Sequence, residues 1–250
     1  MIDTIEHGPV RELRLARPPV NALSPELLDE LKMQIEAAPG DGAKALVISG
    51  AEGLFTAGLD VPLLLSLDRD EMTRALATFF DTMAALATSK IPVAAAITGH
   101  SPAGGAVLSL FCDWRVMAEG PFVIGLNEVR VGIPMPAMVA DALTRVVGRR
   151  QTEALCQTGR MLGPEEALSV GLIDRVVPVD KVIEAAVEWC AEFTQLPAYA
   201  LGETRKTVRG DLIEIVERSK SADADEMARE WFKPEVQAPL RALAAQLANK

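Results

Sequence analysis

The sequence predicts an α/β fold with a parallel sheet and a helical C-terminal end. Short apolar runs, which are typical of strands buried on both faces, alternate with longer patterns of helical period. From about residue 181 onward the pattern is helical, with segments separated by Pro or Gly. These observations predict a core of alternating strands and helices, followed by a helical appendage.

Each element of the predicted core has a local signal. The predicted strands are the β-like runs Val10–Leu15, Ala45–Ser49 and Val93–Ile97. Two helical patterns lie between them, at 25–38 and at Arg69–Thr88. Ser24 and Pro25 mark the start of the first helix, because Ser caps free N–H groups and Pro fits the first helical position.

The C-terminal part of the chain is predicted to consist of helices alone. These helices lie at 182–193, 198–209, 211–230 and 239–248. We therefore expect two parts, a core of residues 1–195 and a C-terminal helical region of residues 196–250.

Length, composition and charge exclude several classes of protein. A chain of 250 residues, 49% of them hydrophobic, can bury a full-sized core, which excludes a disordered or fibrous protein. A formal net charge of −10 argues against a nucleic-acid or membrane partner, because phosphates are repelled on average. No apolar stretch approaches the roughly 18 residues that span a bilayer. We expect a soluble protein.

The cysteines and the first residues predict the compartment. The chain has three cysteines, Cys112, Cys156 and Cys190. An odd number does not form a complete set of disulfides, and their spacing is not that of metal ligands, so we expect a reducing intracellular compartment. The first residues include acidic side chains and lack the apolar core of a signal peptide. We expect a chain without a cleaved leader, in a bacterial cytoplasm rather than a mitochondrial matrix.

Residues 99–106 (GHSPAGGA) form a turn of small residues, the PAGG turn, between a predicted strand and an apolar helix. Small residues let a ligand approach the backbone, and the first N–H groups of a helix are free to donate. The turn is not a P-loop, because Gly105 stands where Lys is required. It also lacks the last Gly of a hydrolase nucleophile elbow. Taken alone, a close-packed helix start without a ligand is the simpler explanation.

Residues 54–60 (LFTAGLD) form a second such turn, the AGLD turn, before an apolar helix at 61–67. Two turns of this kind can direct one N–H each to a single carbonyl oxygen, which is the arrangement that stabilises a thioester enolate. Asp60 is more simply the N-cap of the following helix than a catalytic acid.

Several segments match one known family in order along the chain. They are PPVNALS at 18–24, AGLD at 57–60, PAGG at 102–105, Cys112, Asp113 and Arg115, and GPEEALSVGLIDRVV at 163–177. With these segments the chain resembles the crotonase (enoyl-CoA hydratase/isomerase) superfamily. The resemblance implies a spiral of ββα units capped by C-terminal helices that form a trimer, often a dimer of trimers. It also implies an acyl-CoA substrate, with no cofactor and no metal.

The resemblance assigns roles to the two turns. It places an oxyanion hole at the backbone N–H groups of Ala57 and Gly104, where loss of one donor typically costs about 3 kcal/mol. An apolar acyl tunnel is expected behind the helix at 61–67. The implied substrate-binding residues are Ala57, Gly58, Leu59, Asp60, Leu64, Pro102, Ala103, Gly104, Val107, Leu126 and Ile133.

The carboxylates indicate the reaction. Hydratases of this superfamily use two Glu residues, and the first of these positions is Val107 here, which cannot transfer a proton. Glu128 keeps the second position, in a segment (IGLNEVRVGI) that resembles the mitochondrial-type Δ3,Δ2-enoyl-CoA isomerases. The resemblance therefore implies an isomerase of fatty acid oxidation. Glu128 alone would remove the α-proton of a 3-enoyl-CoA and return it to the γ-carbon.

Two alternatives to the isomerase stay open. A hydratase, or another enolate-forming enzyme of the superfamily, would combine Glu128 with an acid from a neighbouring loop. A non-catalytic scaffold would bind acyl-CoA without turnover, because one fold hosts many functions. Outside the two turns, Asp113 is expected to make structural hydrogen bonds. The basic cluster Arg205, Lys206 and Arg209 lies either near the CoA phosphates or on a solvated helical face.

Overall fold

The computed structural model describes residues 1–248. Within them, the larger of two sheets has six strands. Its strands are β1 (Ile2–His7), β2 (Val10–Leu15), β3 (Ala45–Ser49), β5 (Val93–Ile97), β7 (Trp114–Ala118) and β9 (Arg175–Val177), adjacent in that order. β1 and β2 form an antiparallel hairpin, and every other neighbouring pair is parallel. The parallel strands therefore end at one common edge.

A second, smaller sheet continues from that edge. Its three parallel strands are β4 (Gly53–Leu54), β6 (Gly99–Pro102) and β8 (Ile124–Gly125), and each follows a strand of the larger sheet along the chain. Gly53 pairs with Gly99, and Pro102 pairs with Gly125. This pairing holds the AGLD turn and the PAGG turn side by side, because each turn includes part of one of these strands.

Helices follow the strand pairs. They are α1 (Pro25–Ala37), α2 (Val61–Leu64), α3 (Arg69–Thr88), α4 (Gly104–Leu110), α5 (Ala137–Val147), α6 (Arg149–Thr158), α7 (Pro164–Ser169), α8 (Val182–Ala191), α9 (Ala198–Val208), α10 (Gly210–Trp231) and α11 (Pro234–Ala248). The sequence strand, strand, helix recurs from β1 to α5, which is the predicted ββα repeat. Within residues 1–248 no helix is long and apolar enough to cross a membrane.

The larger sheet is buried on both faces. All five residues of β3 are buried, and alternate side chains point to opposite faces. Leu46 and Ile48 join the main apolar core with α1 and α3, whereas Ala45 and Val47 pack with α8. This double burial explains the continuous apolar runs from which three of the strands were predicted.

The predicted bounds of the three strands and of α3 are confirmed, and two predicted helices are corrected. α2 ends at Leu64 rather than 67, because Asp68 already caps α3 by accepting a hydrogen bond from Glu71 N. α11 begins at Pro234 rather than 239, with Pro239 inside the helix. Proline was interpreted as a helix start, but the helix tolerates it after its first turn.

A buried ion cluster ties α9 to the core. Arg205 and Arg209 are 7% and 4% exposed, and each donates to Asp113 Oδ1 at 2.6 Å. Asp113 Oδ2 accepts a hydrogen bond from Val93 N at 2.8 Å, which confirms its structural role. The solvated-face interpretation is therefore wrong for the two arginines, and of the basic cluster only Lys206 is exposed.

The C-terminal helices also pack against the core. α10 lies along α3 and α5. The division into residues 1–195 and 196–250 stays a prediction, as does oligomerisation through the second part, whose last two residues lie outside the described residues.

Candidate active site

The AGLD turn and the PAGG turn are in direct contact. A Cβ built on Gly58 would lie 3.2 Å from Pro102 O and 3.3 Å from Gly104 N. A Cβ built on Gly104 would lie 3.3 Å from Leu59 N. Gly58 also has a φ of +86°, which favours glycine. The two turns thus meet at backbone level, with little room for a side chain on either glycine.

Asp60 closes the AGLD turn as a helix cap. Its Oδ1 accepts a hydrogen bond from Leu63 N at 3.1 Å, and its Oδ2 pairs with Arg17 Nη2 at 2.6 Å. Both oxygens are therefore engaged, as expected of an N-cap rather than of a catalytic acid.

The backbone N–H groups of the two turns differ in whether they are free. Ala57 N–H donates to Val20 O at 3.0 Å. Leu59 N–H and Gly104 N–H have no acceptor in the described part of the chain, and both lie at the contact between the turns. This geometry does not support Ala57 as an oxyanion donor, because its N–H is already hydrogen-bonded to Val20 O in the preceding loop. It favours Leu59 instead.

Ala103 leads into α4 in a strained conformation. Its φ of +44° and ψ of −113° are rare for a residue with a side chain and cost about 1–3 kcal/mol. β8 holds it there, because Ala103 N–H donates to Gly125 O at 2.8 Å. The strain coincides with the free N–H of Gly104, as is common at functional sites.

Glu128 is a buried carboxyl group that follows β8, the strand paired with the PAGG turn. It opens the 3₁₀ helix Glu128–Val131, three residues after β8, and is 8% exposed. Burial raises its pKa from 4.5 to about 7, and its own backbone N–H opposes this only in part. Its Oε2 is buried without a hydrogen-bond partner among residues 1–248. Such a group can both accept and return a proton near neutral pH.

Asn127 is a residue that sequence reasoning missed. Its Oδ1 is buried and, like Glu128 Oε2, lacks a partner in the described residues. Buried oxygens without donors on two consecutive residues indicate that a substrate or a water donates to this segment. The only sequence signal was a polar residue inside an apolar segment, which is too weak to select it.

The other predicted substrate-binding residues fall into two groups. Leu64, Val107, Leu126 and Ile133 are buried, with exposures of 2%, 2%, 4% and 7%. Ala57 is exposed, and Leu59, Pro102 and Ala103 are half-buried. The turns therefore reach solvent, whereas the predicted apolar lining is buried.

A cavity of about 210 Å³ lies next to Ile133. Ile133 N–H donates to the backbone O of Glu128 at 2.9 Å, so the wall of the cavity is hydrogen-bonded to the segment that carries this carboxyl group. Its other walls come from residues 134–137, from the start of α11 and from α10. The α10 wall has Met227 and Trp231 together with the acidic side chains Asp223, Glu226 and Glu230. The acyl tunnel was expected behind the helix at 61–67, but α2 contributes no residue to this cavity.

Metal binding has no support in the described residues, where no group of three or more His, Cys, Asp or Glu side chains is placed to hold an ion.

Comparison with known proteins identifies the family. The sequence matches the family model described as enoyl-CoA hydratase/isomerase over residues 6–238. The chain belongs to the enoyl-CoA hydratase/isomerase family. This match, together with the structural similarity given below, confirms the predicted crotonase fold. The chain is an enzyme of this family.

Similar members of the family are named either as isomerases or as hydratases. The mouse mitochondrial enoyl-CoA delta isomerase 1 is 32% identical over 253 residues, which cover 100% of this chain and 88% of that protein. The probable enoyl-CoA hydratase echA17 of Mycobacterium avium (strain 104) is 34% identical over 197 residues, covering 78% and 76%. The crystal structure of human mitochondrial Δ3-Δ2-enoyl-CoA isomerase has a TM-score of 0.94 at 29% identity, covering 99% and 98%.

Proposed function

We propose that this enzyme is a Δ3,Δ2-enoyl-CoA isomerase of fatty acid oxidation. The observation that carries the proposal is Glu128, a buried carboxyl group whose pKa is raised to about 7. It follows β8, the strand that pairs with the PAGG turn, where the Gly104 N–H is free. Val107 stands where hydration would need a second acid. Similarity to the mouse isomerase along the whole chain supports the same reaction.

The proposed reaction needs one base and one oxyanion hole. The Glu128 carboxylate removes a proton from the α-carbon while two N–H groups bind the thioester oxygen and stabilise the dienolate. Protonated Glu128 then donates this proton to the γ-carbon, which gives the conjugated 2-enoyl-CoA. Burial of Glu128 supports both steps, because it brings the pKa of the base close to neutral pH.

We assign the oxyanion hole to Leu59 N–H and Gly104 N–H. Replacing Leu59 by its α-hydroxy acid changes one amide to an ester. This removes the Leu59 N–H and makes the Gly58 carbonyl, which accepts from Leu23 N–H at 2.8 Å, a weaker acceptor. We expect kcat to fall by about 100- to 1000-fold, the usual effect of losing one such donor. The matched control is the same exchange at Ala57, which makes the same chemical change in the same turn but removes the bond to Val20 O, and should leave kcat nearly unchanged. The reverse ranking of the two esters would restore Ala57 as the donor.

The proposal also predicts a pH dependence. The base form of Glu128 exists above its pKa of about 7, so kcat/KM should rise with pH through that value. Below it the rate should fall about tenfold for each pH unit. Initial rates at saturating and limiting substrate across this range separate kcat from kcat/KM. A profile of kcat/KM that stays flat through neutral pH would assign the proton transfer to another group.

We propose that the acyl chain passes Ile133 and enters the adjacent cavity. The cavity is bordered by Met227 and Trp231, and burying the chain against these side chains removes its apolar surface from water. Its volume of about 210 Å³ would limit the length of chain that fits.

The assay for the proposed function is ultraviolet absorbance with a trans-3-enoyl-CoA of several chain lengths. Formation of the conjugated 2-enoyl product raises the absorbance, whereas hydration of crotonyl-CoA lowers it. We expect isomerisation to be much faster than hydration. The similarity to the probable hydratase echA17 favours the alternative function, an enoyl-CoA hydratase. Hydration faster than isomerisation would establish the hydratase. Binding of acyl-CoA with neither reaction would identify a scaffold.

A further inference from the structure

A loop at residues 17–23 lies against the AGLD turn, and we call it the 17–23 loop. Two N–H groups of the turn donate to this loop. Ala57 N–H donates to Val20 O at 3.0 Å, and Asp60 N–H donates to Leu23 O at 3.2 Å. The loop therefore fixes the backbone of the turn both before and after its proposed oxyanion donor.

The hydroxyl group of Thr56 makes a further link between the AGLD turn and the 17–23 loop. It donates to Asn21 O at 2.6 Å and accepts a hydrogen bond from Gly58 N–H at 3.1 Å. Thr56 is fully buried, so water does not compete for either hydrogen bond. One hydroxyl group thus connects the loop directly to the glycine that precedes the proposed donor.

The peptide unit between Gly58 and Leu59 carries the proposed donor. Gly58 O accepts a hydrogen bond from Leu23 N–H at 2.8 Å, so this carbonyl group points to the 17–23 loop. The C=O and N–H of one planar trans peptide point in opposite directions, so Leu59 N–H points away from the loop. Gly58 has no Cβ to restrict its backbone, and its own N–H is held by Thr56. The two hydrogen bonds together fix the direction of the donor.

Asn21 makes the 17–23 loop a rigid anchor for Thr56. Its Oδ1 accepts from Arg17 N–H at 2.9 Å, and its Nδ2 donates to Phe55 O at 3.2 Å. Asn21 is buried and has a φ of +49°, a left-handed conformation that asparagine adopts more readily than most residues. The carbonyl group that accepts from Thr56 is therefore fixed from both sides.

The methyl group of Thr56 lies against the other turn. A Cβ built on Gly105 would lie only 2.7 Å from Thr56 Cγ2. Gly105 directly follows Gly104, whose N–H is the second proposed oxyanion donor. One buried side chain therefore contacts both turns, with its hydroxyl group on the AGLD turn and its methyl group against the PAGG turn.

We propose that Thr56 is a positioning residue of the oxyanion hole and acts through its hydroxyl group. The proposal rests on the proposed function, in which Leu59 N–H and Gly104 N–H form that hole. Because Thr56 is fully buried, it acts through the backbone of the turns rather than on the substrate. A displacement of about 1 Å in a reacting site can lower the rate about 100-fold, so loss of the hydroxyl group should be visible in kcat.

The first test compares Thr56→Val with Thr56→Ser. Valine keeps the shape and the methyl contact but removes both hydrogen bonds, whereas serine keeps the hydroxyl group and removes the methyl group. We expect kcat to fall by about 10- to 100-fold in Thr56→Val, with a smaller change in KM, because the hole binds the transition state more strongly than the substrate. Thr56→Ser should keep a kcat close to that of the wild type. A wild-type kcat in Thr56→Val, or an equal loss in both variants, would overturn the positioning role.

Thr82→Val is the matched control for lost stability. Thr82 is fully buried in α3, and its hydroxyl group donates to Leu28 O at 3.1 Å. The same chemical change there removes a buried hydrogen bond outside both turns and the 17–23 loop. Stability should fall while kcat stays at the wild-type value. A loss of kcat in Thr82→Val as large as in Thr56→Val would assign the effect to stability and overturn the proposal.

Thr56→Cys keeps the proposal testable if Thr56→Val does not fold. A thiol group is a weaker hydrogen-bond donor and acceptor than a hydroxyl group but is close to it in size. We therefore expect kcat of Thr56→Cys to be lower than that of Thr56→Ser. Equal kcat values in these two variants would also contradict a role of the hydroxyl group.

Infrared spectroscopy tests the oxyanion hole without turnover. A saturated acyl-CoA with carbon-13 at the thioester carbonyl is bound to the protein, and the carbonyl stretching frequency is compared with that of free acyl-CoA. Two N–H donors polarise the carbonyl group and lower this frequency. We expect a smaller lowering in Thr56→Val than in the wild type, Thr56→Ser and Thr82→Val. A lowering that Thr56→Val leaves unchanged would overturn the positioning role alone, whereas no lowering in the wild type would overturn the proposed oxyanion hole and the role of Thr56 with it.

Discussion

Replacing Glu128 with Gln is expected to lower kcat for isomerisation about 1000-fold while acyl-CoA binding is retained. Gln keeps the shape of the side chain but cannot accept a proton. General acid–base catalysis typically contributes about 10²- to 10⁴-fold, and here one carboxyl group performs both transfers. The measurements are kcat on a 3-enoyl-CoA and the Kd of a saturated acyl-CoA.

Glu165→Gln is the matched control for this variant. Glu165 is exposed on α7, so the same chemical change should leave kcat and Kd unchanged. If Glu128→Gln kept a kcat close to that of the wild type, the base would be another residue and the single-carboxylate mechanism would be wrong.

Glu128→Gln should also change the pH dependence of folding stability. The pKa of Glu128 is about 7 in the folded protein, above its ordinary 4.5, so the bound proton stabilises the fold. This stabilisation is complete below pH 4.5 and is lost as the pH rises through 7. Above that pH the buried charge costs up to about 3 kcal/mol. Urea unfolding should therefore show Glu128→Gln to be more stable than the wild type under mildly alkaline conditions, but not under acidic ones.

Gly99→Ala is expected to have the largest effect on stability, with a loss of about 4 kcal/mol or more. A Cβ on Gly99 would lie 1.9 Å from Gly53 C, 2.0 Å from Gly53 O and 2.3 Å from Leu54 N. All three atoms are backbone, so no side chain can rotate out of the way. β4 and β6 would have to separate, and the two turns would lose their contact. Urea unfolding and kcat should both show the loss.

Gly210→Ala is the control for the added methyl group. Gly210 opens α10, and a Cβ there would meet nothing within 4 Å. Ala favours helix over Gly by up to about 1 kcal/mol, so this variant should be as stable as the wild type or slightly more stable. A Gly99→Ala protein with wild-type stability would show that β4 and β6 do not pair as closely as described.

The fold could be predicted where local signals were complete. β3 and β5 are five-residue runs buried on both faces, and the start of α3 has Asp68 and Glu71 in a capping box. The two-residue strands β4 and β8 are too short to show any periodicity, and only their pairing with β6 creates them. The second sheet, which aligns the two turns, was therefore not visible in the sequence.

Only those site residues that belong to a local sequence motif could be predicted. Glu128, Gly58 and Gly104 were identified from local segments. The choice between Ala57 and Leu59 depends on which N–H is free, and that is decided by Val20 O, in a loop far away in the sequence. The burial of Arg205 likewise depends on Asp113, 92 residues earlier. Such tertiary contacts leave no periodic signal in a single sequence.

We propose that one carboxyl group, Glu128, carries the proton from the α-carbon to the γ-carbon. The most direct measurement is conversion of a 3-enoyl-CoA labelled with deuterium at the α-carbon, in ordinary water, with the label located by mass spectrometry or NMR. Because Glu128 is only 8% exposed, the deuteron it takes should exchange slowly with water. A substantial part of the 2-enoyl product should therefore carry deuterium at the γ-carbon. A product whose γ-hydrogen comes entirely from water, or a hydrated product, would contradict the claim.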